Sequence, residues 1–147
     1  MQAIIFTGIQ ATGKSTFYKQ KFFDSHVHIS LDLLRTRHRE KVFLDACLQT
    51  QQSFVIDNTN PTRQNRQQYI MLAKAKSYEI IGYYFESKIK DAITRNNLRS
   101  GKALIPEKGI KGTYNRLEVP SLDEGFDQLF YVRLNHNDCF DISPWKI

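Results

Sequence analysis

Short apolar runs alternate with longer amphipathic stretches along this chain, and the alternation assigns the elements. Ala3-Ile4-Ile5-Phe6-Thr7 is a run of β-formers closed by Gly8, the pattern of a strand buried on both faces of a parallel sheet. Val27 to Ser30, Ser53 to Asp57, Glu79 to Phe85 and Leu129 to Leu134 predict further strands. Between them, Lys14 to Phe23, Thr62 to Ser77 and Lys88 to Arg99 predict helices, and Leu31 to Thr50 predicts one or two. Pro61 suits the first helical position of the segment that starts near Thr62. Strands separated by helices of this length imply right-handed crossovers, so the fold class is α/β with a mostly parallel sheet flanked by helices. From Ser100 onward Gly101, Pro106, Gly109, Gly112 and Pro120 interrupt the pattern. That predicts a mobile flap or lid over about 95–117 rather than a packed element. The stretch after Asn135 gives no clear pattern.

Composition narrows the class. With 147 residues, 41% hydrophobic and 24% charged, the chain reads as one globular domain over 1–147, without repeats or a linker. The run Ala3 to Phe6 is far too short to span a bilayer, so no membrane is expected. Cys47 and Cys139 lie far apart and make neither a disulfide framework nor a metal-ligand spacing, which favours a reducing, cytoplasmic compartment. A formal charge of +6 favours anionic partners such as nucleotides or nucleic acids without choosing among them. No stable protein partner can be inferred, and self-association stays open.

The chemistry begins at Gly8-Ile9-Gln10-Ala11-Thr12-Gly13-Lys14-Ser15-Thr16, which fits the phosphate-loop pattern G-x-x-x-x-G-K-[ST] with a strand in front and a helix behind. Gly8 and Gly13 let the backbone curl so that successive N–H groups across Ile9, Gln10, Ala11 and Thr12 face a phosphate, and the following helix adds its positive end. Lys14 is placed to reach the β and γ phosphates, and the Ser15 hydroxyl to ligate Mg2+. The expected cofactors are therefore ATP, or another nucleoside triphosphate, and Mg2+.

What receives the phosphoryl group depends on other residues. Asp32 and Arg35 are three apart directly after the second strand, so a helix opening at Leu31 puts both on one face at the carboxyl edge of the sheet. They read either as a base and an anion clamp or as an ordinary surface pair. Arg95 and Arg99 are one helical turn apart and could close on a triphosphate; Asp91, four residues before Arg95, offers that arginine a plain ion pair instead. Asp57 ends a buried strand and is either a second acidic group near the metal or a turn and cap residue. Arg35, Arg37, His38, Arg39 and Lys41, with Arg63 and Arg66 on another helix, form a basic cluster that supports a nucleic-acid acceptor without establishing one. The four histidines show no zinc-site spacing.

Taken in order, the phosphate loop, Asp32-x-x-Arg35, the turn Val55-Ile56-Asp57-Asn58-Thr59-Asn60-Pro61, Arg95-x-x-x-Arg99, Ile105-Pro106 and Pro120 to Phe126 resemble the kinase module of polynucleotide 5'-hydroxyl kinases. The resemblance spans roughly residues 2 to 134, and the Asp-Asn-Thr-Asn-Pro turn is its most particular part. It implies a P-loop kinase fold with a C-terminal lid, and a 5'-hydroxyl end of RNA or DNA as acceptor. It implies Asp32 as general base, Arg35 as the grip on the acceptor phosphate, Arg95 and Arg99 on the donor phosphates, Lys14 as transition-state stabiliser and Ser15 as metal ligand. The loop departs from many members in lacking a proline and an extra glycine, and Asp57 and Asn58 both compete for the acidic position.

Overall fold

The computed structural model describes residues 1–145. The chain runs β1 (Gln2–Thr7), α1 (Lys14–Lys21), β2 (Val27–Ile29), α2 (Leu31–Leu34), α3 (Arg37–Thr50), β3 (Phe54–Ile56), α4 (Arg63–Ala75), β4 (Glu79–Phe85), α5 (Ile89–Asn96), α6 (Glu107–Arg116), β5 (Gln128–Leu134) and β6 (Phe140–Pro144). The six strands form one sheet in the order β2-β3-β1-β4-β5-β6, parallel except for the antiparallel β5–β6 pair. β1 is central because it is apolar on both faces: Ile4 packs with Phe17, Phe22 and Phe85 on one side, and Ile5 with Leu44, Ile56 and Ile70 on the other. From β1 the chain first adds strands on one flank and then crosses to the other, so a crevice opens beyond the carboxyl ends of β1 and β3. No helix among the described residues is long and apolar enough to cross a membrane.

Four expectations need correction. The segment expected as a mobile flap contains α6, and its Ile110 is fully buried against Ile9, Ala11 and Ala92. Its glycines misled because they break the apolar count while facing outward; a Cβ on Gly112 would meet nothing within 4 Å. Asn96 fastens this segment by donating to the Ile105 carbonyl (2.6 Å) and accepting from the Ile105 N–H (2.9 Å). Secondly, Asp32 and Arg35 do not share a helical face: α2 is a single turn, and Arg35 leaves it with φ +76°. Thr36 then starts α3 afresh by accepting from the Arg39 N–H.

Thirdly, Pro61 is not the first helical residue. Thr62 caps α4 with Asn65 in a capping box, and the helix begins at Arg63. Lastly, Arg66 does not belong to the exposed basic cluster. It is fully buried and forms a two-pronged ion pair with Glu124 (2.8 and 3.0 Å), while its Nη1 donates to the Asn60 carbonyl (2.9 Å). That arginine holds the turn after β3 in place from below.

Candidate active site

A cavity of about 400 Å³ fills the crevice, and the loops after β1, β2 and β3 converge on it. The phosphate loop contributes Gln10, Ala11, Gly13, Lys14, Ser15 and Thr16 to its lining. Gly8, Ile9 and Thr12 shape the loop instead. The Gly8 N–H donates to the Thr59 carbonyl (3.0 Å), the Ile9 N–H to the Ser87 hydroxyl (3.1 Å), and the Thr12 hydroxyl to the Ile9 carbonyl (2.9 Å). Two of the amides expected to face phosphate are thus occupied by the scaffold.

Gly13 has φ +93°, and a Cβ there would come within 2.8 Å of the Phe140 ring. Both conformation and space demand glycine. Gly13→Ala is expected to cost about 1–3 kcal/mol of stability and to weaken ATP binding; thermal melting and nucleotide titration check this, and unchanged binding would show that the loop tolerates the side chain.

Lys14 donates to the Gly8 and Ile9 carbonyls (3.0 and 2.7 Å), which occupy it in the place of phosphate oxygens. Burial lowers its pKa to about 8; the carboxylates of Asp57 and Asp32 counteract this and the Arg99 guanidinium adds to it. These four charged groups therefore share one field. Ser15 donates to Asp57 Oδ2 (2.8 Å), and the same oxygen meets His28 Nε2 at 2.8 Å. The His28 ring stacks on Tyr18 with centroids 4.0 Å apart. Asp57 is 5% exposed and caps no helix, since Thr62 does that; its carboxylate faces the loop serine. Asn58 is committed elsewhere, accepting from the Leu31 N–H (2.9 Å) and donating to Glu40 (2.8 Å).

Asp32 lines the cavity and remains solvent-exposed. Arg35 is absent from that lining, and Arg37 is present. Arg99 also lines it, whereas Arg95 donates to the Ala11 carbonyl of the phosphate loop (3.3 Å) rather than pairing with Asp91. Gln10 donates to the Thr113 hydroxyl of α6 (3.0 Å), so the lid touches the loop directly.

No family model matches the chain. It is 26% identical over 132 residues to the bifunctional polynucleotide phosphatase/kinase of Schizosaccharomyces pombe, which covers 85% of this chain and 32% of that protein. It is 29% identical over 154 residues to a protein of Acanthamoeba polyphaga mimivirus named for the same pair of activities, covering 99% of this chain and 36% of the relative. The chain thus spans about a third of the length of these curated relatives. Chaetomium thermophilum Kti12, solved in complex with ADP-AlF3, superposes with a TM-score of 0.69 at 18% identity over 92% of this chain and 91% of its own, which shows the fold.

This chain is a P-loop kinase domain related to the polynucleotide kinases.

In the P-loop kinase domain, several site residues escaped sequence reading. His28 was dismissed for want of a metal-ligand spacing, yet it binds the buried Asp57; its alternation with His26 along β2 was the one available signal. Arg37, Asn65 and Arg116 line the cavity of the kinase domain from three separate helices, and only Arg37 stood in a pattern, the basic cluster.

Proposed function

We propose that this P-loop kinase domain, read as a single domain over 1–147 with its lid at about 95–117, transfers the γ-phosphoryl group of ATP to the 5'-hydroxyl end of RNA or DNA. The observation that carries the reading is the placement of the Asp32 carboxylate in the same cavity as Lys14, Ser15 and Arg99, the loop groups suited to a triphosphate. Similarity to two proteins named for polynucleotide kinase activity supports the acceptor class. In the transfer, Asp32 takes the proton of the attacking hydroxyl as its oxygen bonds to the γ phosphorus, and the bond to the β–γ bridging oxygen breaks to release ADP. A loose transition state asks mainly for positioning and for positive charge around the moving group, which Lys14 and Arg99 supply. Arg95 holds the loop at Ala11, and Arg35 adds positive charge next to the α2 turn.

The residues present fit Mg2+. Ser15 and Asp57 offer a hard oxygen pair at the loop, and among the described residues no cluster of three His, Cys, Asp or Glu side chains forms a dedicated metal cage. That is the donor set of an ion which takes few protein ligands and the rest from phosphates and water. When bound, the ion neutralises phosphate charge; Ser15 and Asp57 are the groups that would hold it. Cys47 and Cys139 are free thiols, in keeping with a reducing cytoplasmic setting.

A labelled-ATP assay on acceptors from a 3'-mononucleotide to a 20-mer, each with a free 5'-hydroxyl, tests the reading. Activity is expected to rise with length and to fall with added salt, because phosphate contacts release counterions. Equal use of short and long acceptors at all salt concentrations favours instead a kinase of a small hydroxylated metabolite or nucleoside, and absence of any product overturns the polynucleotide reading.

A further inference from the structure

One buried carboxylate organises the acceptor side of the cavity. Glu40 is 5% exposed and accepts from Arg37 Nη1 (3.1 Å) and the Tyr69 hydroxyl (2.9 Å) on one oxygen, and from Asn58 Nδ2 (2.8 Å) on the other. Tyr69 itself also accepts from Arg37 (3.1 Å). Burial, and then the Glu40 charge, push the Tyr69 pKa up to about 12, so its hydroxyl stays a donor at neutral pH. The opposite end of the Asn58 side chain accepts from the N–H of Leu31 (2.9 Å), the residue before Asp32. The backbone that carries the proposed base and the guanidinium of Arg37 are therefore fixed to a single anchor.

An Arg–Glu pair three residues apart on a helix is usually a solvated surface contact worth a few tenths of a kcal/mol. This one differs because its carboxylate is buried and saturated by three donors. Burying an ionised carboxylate is costly unless it is so satisfied. Arg37 commits only Nη1 to the anchor, its side chain keeps 63% of its exposure, and it lines the cavity together with Asp32. Its remaining N–H groups make no hydrogen bond among the described residues and form a preset fork. Arg35 has no such support, and its backbone turns out of α2 at φ +76°.

We propose that Arg37, oriented by Glu40, grips the phosphate on the 3' side of the nucleoside whose 5'-hydroxyl meets Asp32, and thereby selects chain ends over bare nucleosides. This rests on the kinase reading above. A planar guanidinium matches a phosphate with two parallel hydrogen bonds, which an ammonium cannot do. Arg37 is then the residue that determines acceptor specificity, and Glu40 is a positioning residue.

The test compares a 5'-hydroxyl dinucleotide with the matching nucleoside, both as acceptors and, without turnover, as ligands of the protein loaded with a non-hydrolysable ATP analogue. The wild type is expected to prefer the dinucleotide. Arg37→Ala should cut that preference at least about ten-fold, Arg37→Lys should restore only part of it, and affinity for the ATP analogue should hold within about two-fold. Glu40→Gln should raise the KM for the dinucleotide, and adding it to Arg37→Ala should cause little further loss, because the two act as one unit. Additive losses, or a weakened ATP analogue, would show that Glu40 merely supports the fold. An Arg37→Ala variant that keeps the full preference, or an Arg35→Ala variant that alone removes it, overturns the assignment. If the dinucleotide binds and Arg37→Ala abolishes binding while no phosphoryl moves, the kinase reading fails and the Arg37 site stands. No binding of the dinucleotide by the wild type overturns both.

Discussion

Asp32→Asn should reduce phosphoryl transfer to a 5'-hydroxyl acceptor by about a thousand-fold while the protein still binds ATP. A general base contributes about 10²–10⁴ in rate, and the amide keeps the shape of the carboxyl group but cannot take the proton. Asp32 is exposed, so the substitution removes no packing, and the melting temperature should move by no more than about 2 °C. ATP affinity should hold or tighten slightly, because Asp32 contributes negative charge to the field around Lys14, where the triphosphate would sit. Single-turnover transfer and equilibrium nucleotide binding, measured on the same preparation, separate the two effects. Transfer at the wild-type rate removes Asp32 from its role and leaves a nucleotide site without an acceptor base.

The second large effect concerns stability. Arg66→Ala should destabilise the domain by about 3–5 kcal/mol, because it strands Glu124 as an unpaired charge in a dry site and leaves the Asn60 carbonyl without its donor. For a chain of this size that lowers the melting temperature by roughly 10 °C. The cost of a broken buried pair lies mostly in the abandoned partner. Arg66→Met combined with Glu124→Leu should therefore recover more than half of the loss. A single substitution that melts within about 2 °C of the wild type would mean that water reaches Glu124. The functional consequence follows from position: Asn60 also donates to the Phe6 carbonyl at the end of β1 (2.8 Å), so Arg66 braces the turn that presents Asp57 and Asn58.

The fold was legible where burial is two-sided. β1, β3 and β4 have inward residues on both faces, so each appears as an uninterrupted apolar run bounded by polar turns. β6 was not, because Phe140-Asp141-Ile142-Ser143-Pro144 is an edge strand with one wet face and a proline at its end, and nothing local separates it from a loop. α6 was hidden by Gly109 and Gly112, which lower helix propensity while its anchors Ile110 and Thr113 point inward. The same contrast holds in the site. The phosphate loop can be read because its working atoms are contiguous in the chain. The Glu40–Asn58–Arg37–Tyr69 cluster cannot be, since its members come from α3, α4 and the turn after β3 and meet only through the fold. Arg66 was misread for the opposite reason: its charge is visible in the sequence, but the distant Glu124 that neutralises it is not marked by any spacing.

Phe140 rests against the glycine that opens α1, and both lie at opposite ends of the described chain. The glycine turn is therefore shaped early in synthesis but gains its lateral support only after the edge strand has emerged and docked. Until then an emerging polypeptide would display a slack anion cradle with little grip on nucleotide. Nicking by a protease between β5 and β6 would return the mature domain to that same loosened condition, with its remaining strands still paired.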